Sequence, residues 1–326
     1  MGNLYGREVE LETVDMLSTS TPNAVLTNRL HGGLLSRNVS NAIGLALAMG
    51  LEGGHTNMRE DLEAAKRLAI RAGAILLEHY VQPKVHWKGR GNPVTEADHL
   101  ANAFLIKELK QMFPADGFLS EEVPDNPDRL LKTRVWIIDP LDGTLEFINR
   151  LDEFAVMIGL SIDGVPNVGV VYQPVAQKLY YAELGSGAFL TENRTTHLLQ
   201  VSRESDPFAM TIAVSRSHHT AVVDLIRQKL GIRNTIAFGS MGLKVGLICE
   251  GRAHLYLHTS SHTSQWDTCA PEVILHEAGG RITDIFNKPL RYNAAEVRNL
   301  DGVIASNGTI HEQIAQATQL AMAKPV

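Results

Sequence analysis

The chain has 326 residues, of which 44% are hydrophobic and 20% charged, and its formal net charge is −6. This length and composition indicate a globular protein with two domains or one large layered unit, and the acidic balance disfavours a nucleic-acid-binding surface. The two cysteines, Cys249 and Cys269, provide neither a disulfide framework nor a zinc ligand set, which is typical of a reducing cytoplasm. No apolar run approaches the roughly 20 residues of a membrane span, so we expect no membrane partner.

Residues 1–57 differ in composition from the rest of the chain. No acidic residue lies between Asp15 and Glu52, but the four acidic residues up to Asp15 disfavour an organellar transit segment. We therefore expect a disordered extension, with the folded part beginning at Met58. Organellar targeting by this extension stays open as the less favoured alternative to a cytoplasmic protein.

Two amphipathic helices are predicted first, and strands follow them. Apolar residues recur at helical spacing from Leu62 to Leu76, and again from Leu100 to Met112 after Asp98. The strands predicted in this half are Trp136–Asp139, Ala155–Ile162, Val168–Tyr172 and Leu179–Glu183, followed by a hairpin region at Gly185–Leu190. We expect residues 58–204 to form an α+β domain that binds metal.

From about residue 205 the predicted elements alternate between strands and helices. The strands are Met210–Val214, Thr235–Phe238, Ala253–His258 and Arg281–Asp284, and the helices are Ala221–Lys229, Leu243–Glu250 and Glu272–Ala278. We expect residues 205–326 to form an α/β domain that binds the substrate. Together the two halves predict layered sheets that are covered by helices.

The stretch 135–144, V-W-I-I-D-P-L-D-G-T, leads an apolar strand into two aspartates. Because Pro140 cannot donate to a central ladder, the strand should end at Asp139. Gly143 permits a tight turn, and Thr144 can cap the helix that follows. A solvated turn would explain one of the aspartates but not both. The turn instead offers carboxylates to Mg²⁺ and helix N–H groups to a phosphate.

Other acidic residues lie at predicted strand ends and helix starts. They occur in Ser120-Glu121-Glu122, in Val94-Thr95-Glu96-Ala97-Asp98 and in Trp266-Asp267-Thr268, where Pro271 should lie in the first helical turn. Each segment alone is more typical of a helix cap or a surface acid than of a metal ligand. Together they favour a site that holds several metal ions, which needs carboxylates from separate segments.

Four motifs in this order resemble the inositol monophosphatase superfamily of Mg²⁺-dependent, lithium-sensitive phosphatases. They are V-T-E-A-D, G-F-L-S-E-E, D-P-L-D-G-T and W-D-T-C-A-P-E-V-I-L-H-E-A-G-G, and the resemblance spans residues 60–310. The last motif, together with Ser215-Arg216-Ser217-His218, is most similar to the 3'(2'),5'-bisphosphate nucleotidases of sulfur metabolism. The resemblance implies a layered α-β-α-β-α sandwich and hydrolysis of the 3'-phosphate of adenosine 3',5'-bisphosphate to AMP by metal-activated water.

The resemblance also implies a site with two or three Mg²⁺ ions. Their implied ligands are Glu121, Asp139, the backbone carbonyl of Leu141, Asp142 and Asp267, with Asp139 shared between two ions. Asp98 and Thr144 would orient and deprotonate the attacking water.

The substrate-binding residues are implied in the same way. The backbone N–H groups of Gly143 and Thr144 would hold the scissile phosphate, and the nucleoside and its second phosphate would contact Ser215, His218, Ser240 and Lys244. Two positions depart from the usual pattern, since Leu145 replaces a basic residue and Ser240 a glycine.

Other kinds of site are less consistent with the sequence. The two aspartates are three residues apart, which disfavours the D-x-D-x-T turn of phosphatases that use an aspartate nucleophile. No dinucleotide-binding or P-loop pattern is present. His254, His258 and His262 could bind zinc, but ordinary surface or packing roles are favoured. Inositol monophosphatase activity, fructose-1,6-bisphosphatase activity and a catalytically silent nucleotide sensor stay open, and the sequence does not predict the oligomeric state.

Overall fold

The computed structural model describes residues 58–89, 92–216 and 221–323. The predicted extension 1–57 and the predicted substrate-binding residue His218 lie outside the described residues. The described residues belong to one compact unit. None of the helices in the described ranges is long and apolar enough to cross a membrane.

The first part of the chain forms two long helices and a seven-stranded sheet. The helices are α1 (Met58–Tyr80) and α2 (Glu96–Met112), separated by a small hairpin of β1 (Val85–Gly89) and β2 (Asn92–Thr95). The sheet contains β3 (Gly117–Ser120), β4 (Arg134–Asp142), β5 (Ala155–Ile162), β6 (Val165–Gln173), β7 (Lys178–Glu183), β8 (Ala188–Glu192) and β9 (Thr195–Leu198) in sequence order. A 3₁₀ helix at Pro127–Leu131 precedes β4, and the short helix α3 (Thr144–Ile148) follows it.

The second part forms a five-stranded mixed sheet with the order β11-β10-β12-β14-β13. Its strands are β10 (Thr211–Ser215), β11 (Asn234–Phe238), β12 (Leu255–His258), β13 (Arg281–Thr283) and β14 (Val303–Ser306). Its helices are α4 (Ala221–Leu230), α5 (Met241–Cys249), α6 (Gln265–Glu277) and α7 (His311–Met322).

These elements stack in five layers. Helices α1 and α2 cover one face of the seven-stranded sheet, and α5 and α6 fill the space between the two sheets. Helices α4 and α7 cover the outer face of the five-stranded sheet. The stack confirms the predicted α-β-α-β-α sandwich. The domain boundary predicted at residue 204 falls between β9 and β10, and the division into a metal-binding and a substrate-binding domain stays a prediction.

Glycines allow α6 to approach the seven-stranded sheet closely. A Cβ on Gly169 of β6 would lie 2.3 Å from the carbonyl oxygen of Ala270, and a Cβ on Gly159 of β5 would lie 2.6 Å from the sulfur of Cys269. Both distances are shorter than side chains permit, so α6 can lie here only against glycine. The contact brings Asp267, near the start of α6, toward Asp139 and Asp142 in the last part of β4.

Strand β4 is longer than predicted and does not end at Asp139. It continues to Asp142, and its pairing register with β5 shifts between Asp139 and Asp142. Pro140 lies within this irregular step, where a missing N–H donor costs little. The cap of α3 is also not Thr144 but Gly143, which adopts φ 96° and leaves no room for a Cβ against the carbonyl of Glu153 at 2.9 Å.

Three helical features of the sequence were missed or misplaced. Helix α6 begins at Gln265 with Ser264 as its cap, so Pro271 lies in the second turn and cannot donate to the carbonyl of Asp267. Helix α2 begins at Glu96, whereas the sequence predicted a helix that follows Asp98. Helix α7 at His311–Met322 was not predicted, although it buries an apolar face against β14.

Candidate active site

A cavity of about 200 Å³ opens where β4, α3, α5 and α6 meet. It is lined by the following predicted site residues: Glu121, Asp139, Leu141, Asp142, Gly143, Thr144, Ser215, Ser240, Lys244 and Asp267. Asp98 does not line the cavity but lies behind Thr144. The fold therefore brings nearly every described site residue of the sequence analysis to one place.

Three carboxylates from two separate segments converge in this cavity. Oxygens of Asp139, Asp142 and Asp267 lie within 4.8 Å of one another. Asp139 and Asp142 are only 1% and 8% exposed, so water screens their charges poorly. Glu121 lines the same cavity and adds its field to that of Asp139.

The electrostatics of this cluster fit a divalent cation. Burial, followed by the charges of Glu121 and its aspartate neighbours, raises the pKa of Asp139 well above its ordinary value. Burial and the charge of Asp142 raise the pKa of Asp267 in the same way. Carboxylates that lie so close together repel one another, and a positive ion between them stabilises their charged forms. Clustered carboxylate oxygens suit Mg²⁺.

Local backbone structure holds two of the three carboxylates, those of Asp139 and Asp267, in place. Asp139 Oδ1 accepts a hydrogen bond of 2.9 Å from the N–H of Leu141. Asp267 is the third residue of α6, and its Oδ2 accepts a bond of 2.6 Å from the N–H of Ser264 in a capping box. The sequence pattern S-x-x-D at this helix start is therefore both a cap and part of the acidic cluster.

Asp98 is held by a second capping box at the start of α2. Its Oδ2 accepts from the N–H of Thr95 at 2.8 Å and from the Thr95 hydroxyl at 2.6 Å, while Oδ1 lies 3.5 Å from the hydroxyl oxygen of Thr144. Burial raises the pKa of Asp98 to about 6, against the lowering effect of the Thr95 bonds. The pair Asp98–Thr144 thus joins a carboxyl of near-neutral pKa to a hydroxyl that lines the cavity.

Lys244 and Ser240 are buried, with 3% and 4% exposure, so Lys244 is not a solvated residue on the helix surface. Lys244 Nζ donates to the carbonyl oxygen of Ser240 at 2.7 Å and lies 5.0 Å from the ring centre of Tyr256. The Ser240 hydroxyl donates to Asp142 Oδ2. Burial lowers the pKa of Lys244, while the charge of Asp142 opposes this change.

The structure adds cavity residues that sequence reasoning had not assigned to the site. Glu146, Tyr256, His258 and His262 all line it. Glu146 has a signal in the sequence, because it is an acidic residue in the first turn of α3. The two histidines had instead been assigned surface or packing roles. His254 lies elsewhere and accepts a bond of 2.9 Å from the N–H of Thr211, so the three histidines do not converge on one zinc ion.

Comparisons with known proteins agree with this geometry. A family model described as the inositol monophosphatase family matches residues 57–323. The 3'(2'),5'-bisphosphate nucleotidase CysQ of Shigella flexneri is 37% identical over 239 residues, which cover 72% of this chain and 95% of that protein. The inositol-1-monophosphatase of Bacillus subtilis is 29% identical over 266 residues, which cover 79% of this chain and 96% of that protein.

Solved structures extend the similarity to the fold. CysQ from Bacteroides thetaiotaomicron is 31% identical with a TM-score of 0.67, and the match covers 77% of this chain and 98% of that chain. The inositol monophosphatase from Anabaena is 28% identical with a TM-score of 0.67, and the match covers 81% and 97% of the two chains.

Proposed function

This chain belongs to the inositol monophosphatase family and is a phosphatase, and from that premise we propose that it hydrolyses the 3'-phosphate of adenosine 3',5'-bisphosphate to AMP with Mg²⁺ as activator. One observation carries the proposal: the cavity combines a carboxylate cluster with a buried ammonium group, Lys244. The carboxylates suit a metal-assisted phosphatase, and the ammonium suits a substrate with a second phosphate. The 37% identity to the nucleotidase of Shigella flexneri supports this choice of substrate.

The carboxylates of Asp139, Asp142 and Asp267, with Glu121, would hold divalent cations, which neutralise phosphate charge and activate water when bound. The residues of the chain itself accept the proton and position the phosphate. Asp98 accepts the proton of the attacking water through the hydroxyl of Thr144, to which it is 3.5 Å away. A pKa of about 6 leaves this carboxylate in its basic form at neutral pH, as a general base requires.

The phosphate is positioned by the turn after β4. Gly143 and Thr144 both line the cavity, and their N–H groups lie at the start of α3. The scissile phosphate would bind there, so that water attacks phosphorus on one side while the bond to the 3'-oxygen breaks on the other. No covalent bond between the protein and the phosphate is needed.

Inositol monophosphatase activity is the second candidate, and Leu145 is the observation that favours it. This side chain lines the cavity where a basic residue could have contacted a second phosphate. Among the described lining residues, Lys244 is the single lysine or arginine, and its ammonium group already donates to Ser240. A substrate with one phosphate would need no further cation.

Phosphate release with Mg²⁺ tests the proposal. We expect a higher kcat/KM for adenosine 3',5'-bisphosphate than for inositol 1-phosphate or fructose 1,6-bisphosphate. A preference for inositol 1-phosphate would replace the proposed substrate and leave the phosphatase in place. No release from any of the three substrates would contradict the proposal as a whole.

The role of Lys244 in substrate choice has its own test. We expect Lys244→Met, which keeps most of the side-chain volume, to reduce kcat/KM for the bisphosphate roughly 30-fold. This factor corresponds to a loss of about 2 kcal/mol in transition-state stabilisation. The loss for inositol 1-phosphate should be smaller, because that substrate has no second phosphate and loses only the support that Lys244 gives to the Ser240 carbonyl. Equal losses on both substrates would show that Lys244 supports the site without selecting the bisphosphate.

A further inference from the structure

The turn from Gly239 to Gly242 holds one oxygen of the Asp142 carboxylate. Oδ2 accepts hydrogen bonds from the Ser240 hydroxyl and from the N–H of Gly242, the latter at 2.8 Å. These two donors fix the rotation of the carboxylate, and with it the direction of its other oxygen. The turn is therefore part of the support of the acidic cluster.

The conformation of this turn depends on its surroundings. Ser240 has φ 55° and ψ 134°, a region that residues other than glycine rarely adopt. Such conformations persist only where neighbouring contacts over-determine them. Here the Ser240 carbonyl accepts from Lys244 Nζ at 2.7 Å, and its hydroxyl oxygen accepts from the N–H of Leu243 at 3.1 Å.

Glu153 fixes the start of the turn. Its Oε2 accepts a hydrogen bond of 2.7 Å from the N–H of Gly239. A Cβ on Gly239 would lie 2.7 Å from the carbonyl oxygen of Glu153, and a Cβ on Gly143 would lie 2.9 Å from the same oxygen. Glu153 thus contacts both the Gly239–Gly242 turn, which holds Asp142, and the turn at Gly143, which directly follows Asp142 in the chain.

Arg216 holds the Glu153 side chain in this position. Its Nε donates to Oε2 at 3.0 Å and its Nη2 to Oε1 at 2.6 Å, which is the two-bond geometry of strong arginine–carboxylate pairs. Nη2 also donates to the carbonyl oxygen of Ala237 at 3.0 Å. Arg216 follows Ser215, the cavity residue at the end of β10. Its bonds connect this strand end with Glu153 and with Ala237 near the end of β11.

We propose that Glu153 is a positioning residue for the phosphatase reaction, acting through the Gly239–Ser240 turn on the carboxylate of Asp142, with Arg216 holding Glu153 in place. The inference rests on the proposed function, which gives Asp142 its role as a metal ligand. Glu153 itself does not line the cavity. It orients a group that does.

The test compares Glu153→Ala with a matched variant, Glu250→Ala. Glu250 has a similar side-chain exposure, 13% against 14% for Glu153, and it also accepts from basic side chains, namely those of Lys178 and Arg252. Calorimetry with Mn²⁺ alone on chelator-treated protein gives the metal affinity, and steady-state kinetics with Mg²⁺ gives kcat and KM.

We expect Glu153→Ala to weaken Mn²⁺ binding and to lower kcat, each by about 10-fold or more, as loss of a group that orients a metal ligand does. Glu153→Gln, which retains an acceptor for Gly239 but loses the two-bond pair with Arg216, should recover part of the Mn²⁺ affinity. Glu250→Ala should lower the melting temperature and leave the Mn²⁺ affinity unchanged. Arg216→Lys, which cannot form the two-bond pair, should shift Mn²⁺ affinity in the same direction as Glu153→Ala.

Two results would overturn the inference. One is wild-type Mn²⁺ affinity and kcat in folded Glu153→Ala, or in Arg216→Lys if the alanine variant does not fold. The other is an equal loss of Mn²⁺ affinity in Glu250→Ala, which would indicate a general loss of stability. Neither result touches the proposed function, which depends on phosphate release by the wild-type protein.

Discussion

At the scale of single residues, the carboxylates of the cavity lie close enough for their charges to interact, but their hydrogen-bond partners differ. Asp139 and Asp267 accept from backbone N–H groups within three residues, so their positions follow from local structure. Asp142 accepts from Ser240 and Gly242, which are about 100 residues away. Its position therefore depends on how the two sheets pack.

Asp142→Asn should abolish most of the activity and leave the fold intact. The amide oxygen can still accept from Ser240 and Gly242, but the cluster loses one negative charge. We expect kcat to fall about 100-fold, while the melting temperature without metal stays the same or rises because like charges are fewer. Steady-state kinetics and thermal unfolding in chelator measure the two effects.

Asp284→Asn is the matched control for this substitution. Asp284 is also 8% exposed, and one of its oxygens, Oδ1, also accepts two hydrogen bonds, in this case from the backbone N–H groups of Phe286 and Lys288. It does not line the site cavity. A normal kcat is expected in this control, and near-normal kcat in folded Asp142→Asn would contradict a ligand role for Asp142.

At the scale of elements, the approach of α6 to the sheet depends on two glycines, and Gly169→Ala tests it. The added methyl would lie 2.3 Å from the carbonyl oxygen of Ala270, so strand and helix must move apart. We expect a loss of about 1–3 kcal/mol in the free energy of unfolding, the usual cost of overpacking. Urea unfolding measures this loss, with the exposed Val165→Ala at the start of the same strand as the control. An unchanged midpoint in Gly169→Ala would show that the contact is loose.

The packing of α7 against the five-stranded sheet contains a buried histidine that should make stability depend on pH. His311 Nε2 lies 2.8 Å from the hydroxyl oxygen of Thr283, and Nδ1 lies 2.7 Å from that of Ser306. Because the Thr283 hydroxyl donates to the carbonyl of Asp284, it accepts from Nε2–H, and Nδ1 then accepts from Ser306. Burial lowers the pKa of His311 to about 4, which favours the neutral ring.

The sign of this effect follows from the lowered pKa. The unfolded chain takes up the proton near pH 6.5, whereas the folded chain does so near pH 4. Stability is therefore complete above pH 6.5 and decreases as the pH falls toward 4, by about 3 kcal/mol at most. Urea unfolding of wild type and of His311→Gln between pH 4 and 7 should show a steeper loss in the wild type. Parallel curves would exclude His311 as the cause.

At the scale of the whole molecule, crowded carboxylates should link metal binding to stability. A pair of like charges ~4 Å apart repels by about 4 kcal/mol at an effective dielectric constant of 20. An ion that binds only the folded state offsets this repulsion by mass action. We expect Mg²⁺ added after chelation to raise the melting temperature by about 5 °C or more at saturating concentration. An unchanged melting temperature in the wild type would contradict a shared metal site, and Asp139→Asn should reduce the increase.

The sequence alone predicted which acidic residues the cavity would contain, because the signals that mark them are short in range. Two aspartates at the end of an apolar strand, and acidic residues three positions after Thr95 and Ser264, are patterns of neighbouring residues. Strand and helix periodicity likewise predicted layered sheets covered by helices, with errors where Pro140 and Pro271 were assigned their most frequent positions, whereas the five-layer order was implied by the resemblance of the motifs. Such features follow from backbone geometry and capping, which act within one or two turns.

Only the tertiary structure decided what supports the carboxylates and which other side chains reach the cavity. The bond from Ser240 to Asp142 spans 98 residues, and that from Gly239 to Glu153 spans 86. The burial of Lys244 and the entry of His258 into the cavity also depend on the packing of α5 and β12 between neighbouring layers. No local pattern specifies such contacts, because chain segments far apart in sequence meet only when both sheets have packed onto the shared helices.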